Sequence, residues 1–161
     1  MLLFTTALLV SSCTPSEKGS LFDKYFEPYT DLVSGQQLTD RNSALLDGMK
    51  AYGKGEYQNA IDLLSQYSSR EPDIASPYFY MGICYLALDK PFDAELMFDH
   101  LDRIVPNNFK DQSEWYIALC LLNSGQNDRC LDQLVTILDH RAHAYSQEAE
   151  DLKEDLESNG Q

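Results

Sequence analysis

The sequence predicts an all-α protein, an α-solenoid of three helix hairpins closed by a C-terminal capping helix. One observation is a pattern stated twice, in which glycine, alanine, a large apolar residue and proline recur at a fixed interval. A second is the spacing of three and four between apolar residues, which is typical of amphipathic helices. This interval is 34 residues, as from Gly48 to Gly82. A fixed interval of this length is characteristic of stacked helix pairs. The recurring residues are Gly48, Ala60, Leu64 and Pro72, then Gly82, Ala94, Phe98 and Pro106.

The composition bounds the protein's class and its partners. The chain has 161 residues, of which 43% are hydrophobic, so it is long enough and apolar enough for one continuous core. Its formal net charge is −14. That charge argues against nucleic acid as a partner, because binding phosphates requires a basic surface. It also disfavours adhesion to an anionic membrane through charge alone.

Residues 1–12 are expected to be a signal peptide rather than part of the fold. Met1–Val10 is almost wholly apolar, but a helix that crosses a membrane needs ~20 such residues. The ending Val10-Ser11-Ser12-Cys13 resembles the lipobox of bacterial lipoproteins. In that family the cysteine thiol carries a diacylglycerol group, and the chain is cut just before it. No Lys or Arg precedes the apolar stretch, which departs from the family pattern.

The lipobox resemblance implies a cellular location for the whole protein. It places a lipid anchor at Cys13 and a flexible tether over residues 13–20. Several acyl chains together give stable anchoring. We therefore expect a location in the bacterial cell envelope, on the periplasmic side of a membrane. An ordinary cleaved signal and a simple apolar tail are the alternatives.

Residues 21–40 are predicted to hold an aromatic segment followed by a loop. Leu21–Tyr29 is too apolar for a linker, and Pro28 should end any helix that begins there. The segment resembles one that precedes the repeats in some membrane-anchored bacterial repeat proteins. We expect a short helix that caps the first hairpin; the alternative is a free recognition motif. Residues 33–40 are predicted to be a loop.

Three hairpins are predicted over residues 41–74, 75–108 and 109–141, followed by an acidic capping helix and tail over residues 142–161. Ser76 and Pro77 are expected to start the second hairpin, as N-cap and first helical residue. Asp111 and Glu114 are expected to form an N-cap pair in the third. Small residues 12 apart should let the two helices of each hairpin approach closely. These pairs are Gly48 with Ala60, Gly82 with Ala94, and Ala118 with Cys130.

This arrangement resembles the tetratricopeptide repeat, a family of 34-residue helix pairs that a proline closes. Ala51 and Pro91 depart from its pattern. The resemblance implies a groove lined by the first helix of each hairpin. Here that lining is apolar, without the Lys, Arg and Asn clamp of the family's chaperone-tail binders. The matching residues are Leu45, Met49, Tyr52, Phe79, Ile83, Leu86, Trp115, Leu119 and Leu122.

Two occupants of this groove are open from the sequence. One is a partner protein or peptide held by apolar anchors. The other is the chain's own Leu21–Tyr29, because an apolar groove of this size should not stay empty. The first makes the protein a non-enzymatic interaction scaffold on a membrane. The second makes it a structural or homodimerising envelope component.

The sequence offers little that would carry chemistry. Cys84, Cys120 and Cys130 are predicted to be buried, unpaired thiols. His140 and His143 lie beside Asp139, but no further ligand is evident, so neither a metal site nor a cofactor is expected. No phosphate-binding glycine loop or nucleophile–base pair is recognisable. We therefore expect a protein that is not an enzyme.

Overall fold

The computed structural model describes residues 20–159, and the side chains of residues 20–158. The predicted signal peptide, the lipidated Cys13 and most of the tether lie outside this range.

The described chain is an all-α solenoid, as the sequence predicts. Consecutive helices pack as three hairpins, α2 with α3, α4 with α5 and α6 with α7, and α8 covers α7. The helices are α1 (Leu21–Tyr25), α2 (Ser43–Gly53), α3 (Tyr57–Ser68), α4 (Ala75–Ala87), α5 (Pro91–Leu101), α6 (Lys110–Asn123), α7 (Asn127–Asp139) and α8 (Ser146–Asn159). Among residues 20–159, no helix is both long and apolar enough to cross a membrane.

One hydrophobic core runs through all three hairpins. The second hairpin lies in the middle and contributes its bulkiest members, Phe79, Tyr80 and Phe98, none of which is exposed to solvent. At the C-terminal end, α8 places Ala149 and Leu152 in this core and leaves its acidic face to solvent. A polar outer face on the last helix is how a stacked array ends in water.

The connections within the hairpins share one backbone feature. Gly55, Asp89 and Gly125 stand at equivalent places and have positive φ values of 74°, 57° and 73°. A left-handed residue after a helix allows the chain to reverse. Glycine adopts this conformation without strain, and Asp tolerates it better than most residues.

Two helix starts differ from the sequence prediction. Helix α4 begins at Ala75 with Ile74 as its N-cap, so Ser76 and Pro77 lie inside the first turn. Proline fits there because the first N–H groups of a helix have no intrahelical partner. Helix α6 begins at Lys110, and the Asp111 carboxylate accepts the backbone N–H of Ala144 instead of capping its own helix.

Glycine permits close packing of the two helices in each of the first two hairpins. A Cβ atom on Gly48 would lie 2.9 Å from the side chain of Leu64, and one on Gly82 would lie 2.6 Å from the ring of Phe98. The nearest atoms thus belong to residues one turn beyond Ala60 and Ala94, because the facing helices cross at an angle. In the third hairpin the predicted pair does meet, as the Cys130 thiol donates to the Ala118 carbonyl at 3.3 Å.

All three described cysteines are free and buried, which confirms the prediction for the thiols. Burial raises the pKa of Cys84 and of Cys130 to about 12, and it also raises that of Cys120 well above its usual value. A thiol that stays protonated is a poor nucleophile and a poor metal ligand.

Replacing Gly82 by alanine should lower the free energy of unfolding by about 1–3 kcal/mol, because the new methyl group would overlap the buried Phe98 ring. Gly53→Ala is the matched control, since no neighbour lies within 4 Å of its Cβ position. It should be neutral or stabilising by up to about 1 kcal/mol. Urea unfolding followed by circular dichroism measures both. Equal effects at the two sites would contradict the close approach.

Candidate functional site

The groove side of the array is occupied by residues 20–33, which we call the N-terminal segment. It begins on the third hairpin, where α1 packs against α6. The Tyr29 carbonyl then accepts a hydrogen bond from Tyr52 of the first hairpin, and the next residues contact Tyr80 of the second. The sequence led us to expect that α1 caps the first hairpin, and this was wrong. The loop over residues 34–42 is long enough to let the segment start at the far end of the array and run back.

Helix α1 is fixed at its start and along its side. The Ser20 hydroxyl accepts the Asp23 N–H at 3.2 Å, and the Asp23 carboxylate accepts the Ser20 N–H at 2.8 Å, which forms a capping box. Lys24 pairs with Asp155 of α8, and the Tyr25 hydroxyl donates to the same carboxylate at 2.6 Å. The helix thereby joins the third hairpin to the C-terminal cap.

Three tyrosine hydroxyls hold the backbone that follows α1. Tyr116 donates to the Glu27 carbonyl at 2.6 Å, and Tyr52 donates to the Tyr29 carbonyl at 2.5 Å. Tyr80 donates to the Thr30 carbonyl and accepts the Leu32 N–H, both at 2.9 Å. One tyrosine comes from each hairpin, so every hairpin contributes a hydrogen bond to the segment.

These hydroxyls are set in an apolar environment. Burial raises the pKa of Tyr80 to about 12, and it raises those of Tyr52 and Tyr116 further. Each hydroxyl therefore stays protonated and able to donate throughout the physiological range. A buried hydroxyl without a partner would be costly, so the hydrogen bonds also stabilise the array itself.

Aromatic rings of the segment fill the space between the helices. The Phe26 ring meets Tyr116 edge-on at 6.4 Å, and the Tyr29 ring meets Phe79 edge-on at 5.2 Å. Tyr25 approaches Trp115 in the same way at 6.3 Å. Edge-to-face pairs add to the apolar burial. The segment thus packs as part of the core's outer layer.

The nine predicted groove residues are not open to a partner in this structure. Eight of them are buried, and Leu122 is half-buried. Tyr52, Phe79 and Trp115 contact the N-terminal segment directly. Leu45, Met49, Ile83, Leu86 and Leu119 belong to the core cluster. A partner could reach these residues only if the chain's own atoms moved.

Tyr80 and Tyr116 were missed as site residues by the sequence reasoning. Both precede the small residue of their hairpin by two positions, Gly82 in one case and Ala118 in the other. A tyrosine at the same position in two repeats is the sequence feature that indicates them. Its role is not visible in the sequence, because each hydroxyl bonds to a backbone carbonyl that is distant in sequence.

Two histidines, one at the end of α7 and one in the loop after it, lie close to Glu114 of α6. His143 Nε2 lies 3.2 Å from Glu114 Oε2, and His140 Nδ1 lies 3.9 Å from the same oxygen. The Tyr145 N–H donates to His143 Nδ1 at 3.1 Å. Within residues 20–159, no three His, Cys, Asp or Glu side chains are grouped to hold a metal ion.

No protein-family model matches this chain, and no curated protein matches it either.

Removing the hydroxyl of Tyr80 should loosen the N-terminal segment. Tyr80→Phe leaves the Thr30 carbonyl and the Leu32 N–H without their partner. We expect a loss of about 1–3 kcal/mol in the free energy of unfolding, because two part-buried hydrogen bonds would be lost. Urea denaturation measures this loss, and limited proteolysis shows whether cleavage begins within residues 26–33.

Tyr78→Phe is the matched control on the same helix. The Tyr78 ring packs against His100 with its centroid 4.1 Å away and its plane tilted by 32°, and its hydroxyl forms no hydrogen bond with the described residues. This variant should change stability by less than about 0.5 kcal/mol. If Tyr80→Phe behaved like Tyr78→Phe, the hydroxyl would not be what holds the segment.

Proposed function

We propose that the protein is a non-enzymatic scaffold of the bacterial cell envelope, anchored to a membrane through Cys13, with its groove filled by its own N-terminal segment. The observation that carries this proposal is the packing of residues 20–33 against all three hairpins. The resemblance to tetratricopeptide repeats adds the expectation of protein binding. Partners would then meet the surfaces that the segment leaves uncovered.

The strength of the packing favours the filled groove over an open one. Displacing the segment would break three tyrosine–carbonyl hydrogen bonds, each worth about 1 kcal/mol net. It would also expose Tyr25, Phe26 and Tyr29, which are half-buried. Together these losses are of order 5 kcal/mol. A peptide competing for the same groove would lose about three to four orders of magnitude in affinity.

Support for the membrane location comes from the sequence before the described range. The apolar residues 1–10 and the ending Val10-Ser11-Ser12-Cys13 resemble a lipoprotein signal. Only Thr14–Gly19 would separate the lipidated cysteine from Ser20, where α1 is capped. Even fully extended, a linker of this length spans only about 20 Å. An anchor at Cys13 would therefore hold the third hairpin and α8 near the membrane surface.

Crosslinking in intact cells, followed by membrane fractionation, tests the anchored scaffold. The full wild-type chain should sediment with membranes and recover a recurrent crosslinked protein. Cys13→Ser should move the chain to the soluble fraction and lose that crosslink, because the anchor brings the scaffold to its partner. Ser16→Ala is the control in the same stretch, since it leaves the thiol in place.

Either half of the proposal can fail separately. If Cys13→Ser stays with the membranes, the lipid anchor is wrong. If the wild-type chain crosslinks only to itself, the partner-binding scaffold is wrong, and a self-associating structural component is the better description.

A further inference from the structure

An aromatic pocket lies where the N-terminal segment meets α6 and α8. Its volume is about 320 Å³, close to the lower end of the range for small-ligand sites, so it suits one side chain or headgroup. Five of its ten lining residues are aromatic, and they come from the N-terminal segment, from α6 and from the residue just before α8. They are Tyr25, Tyr29, Trp115, Tyr116 and Tyr145.

The aromatic walls pack against one another. Trp115 and Tyr145 stack with their ring centroids 5.6 Å apart and their planes 6° apart, and Tyr25 meets Trp115 edge-on. The Tyr29 hydroxyl accepts the Gln112 amide at 3.3 Å, which fixes its ring as well. A preformed pocket binds a ligand without first having to order its own side chains.

The charge around this pocket is negative. Glu27 and Glu148 line it, both are exposed, and neither forms an ion pair within the described part of the chain. The one cation in the lining, Lys24, is neutralised by Asp155. Burial raises the pKa of Tyr145 to about 12, and the nearby Tyr29 and Glu148 add to that shift.

The ring of Tyr25 already contacts a cation. Lys24 Nζ lies 4.8 Å from the ring centroid of Tyr25, within cation–π range. Faces of tyrosine and tryptophan attract ammonium and guanidinium groups because the ring quadrupole is negative above and below the plane. Rings combined with two unpaired carboxylates form a site for an organic cation.

We propose that this pocket binds an arginine side chain of a partner protein. A guanidinium can stack on tyrosine or tryptophan and bind a carboxylate through two hydrogen bonds at once. A chain of net charge −14 also attracts basic partners before contact. This inference rests on the scaffold role proposed above and names the chemistry of its partner.

The single tryptophan of the chain, Trp115, reports on the site directly. The full chain is titrated with acetyl-Gly-Arg-Gly-amide while Trp115 fluorescence and its indole N–H NMR signal are followed. We expect a saturable change at millimolar peptide that weakens severalfold between 50 and 500 mM salt, as for exposed charges. The citrulline peptide has the same shape without the charge, and it should bind at least tenfold more weakly.

Glu148→Gln should weaken arginine-peptide binding severalfold, because it removes one carboxylate from the pocket. Glu150→Gln is the matched control, since it makes the same charge change on α8 outside the pocket lining. Tyr145→Phe should retain binding, whereas Tyr145→Leu should lose it while urea unfolding verifies that both variants fold. Comparing these two variants distinguishes the contribution of the aromatic ring to binding from that of the hydroxyl.

Several outcomes would overturn the proposal. These are no saturable response in either signal, equal binding of the arginine and citrulline peptides, or equal effects of Glu148→Gln and Glu150→Gln. Saturation by choline at lower concentration than by the arginine peptide would assign the pocket to a quaternary ammonium headgroup instead. None of these outcomes bears on membrane anchoring or on the crosslinked partner, so the scaffold role is judged separately.

Discussion

The structure depends on hydrogen bonds between three buried tyrosine hydroxyls and one extended stretch of backbone. Residues 27–32 are not helical, so their polar groups must find partners outside secondary structure. Tyr52, Tyr80 and Tyr116 supply those partners, one from each hairpin. Each side needs the other, because without the segment the apolar groove around these hydroxyls would be exposed to water. Filling the groove is therefore part of folding this array.

The filled groove also creates the surface on which we base the partner chemistry. The aromatic pocket has walls from α6 and α8, but Tyr25 and Tyr29 belong to the segment. It would not exist if the segment were detached. The segment residues that cover the apolar groove therefore also form part of a smaller pocket beside negatively charged side chains. We accordingly expect the protein to recognise a single cationic group rather than the apolar side chains of a peptide.

The sequence predicted what depends on local periodicity and missed what depends on contacts between distant residues. The hairpin fold and the buried Cys84 and Cys130 follow from apolar spacing and from small repeated positions. The path of the N-terminal segment does not follow from these patterns. The length of a loop limits how far the chain can extend, but it does not determine in which direction the chain runs. Asp111 shows the same limit. Its spacing to Glu114 predicts a helix N-cap. Instead, the Asp111 carboxylate accepts a hydrogen bond from the backbone N–H of Ala144, which lies far along the chain.

Amide hydrogen exchange measured by NMR tests the central claim most directly. The Leu32 N–H donates to the Tyr80 hydroxyl, although Leu32 itself is an exposed loop residue. If the segment is part of the fold, this amide should exchange nearly as slowly as that of Ile83 in the core of α4, through global unfolding. The exposed Gly35, three residues further on, should exchange rapidly. Exchange of Leu32 as fast as that of Gly35, with Ile83 still protected, would contradict a filled groove.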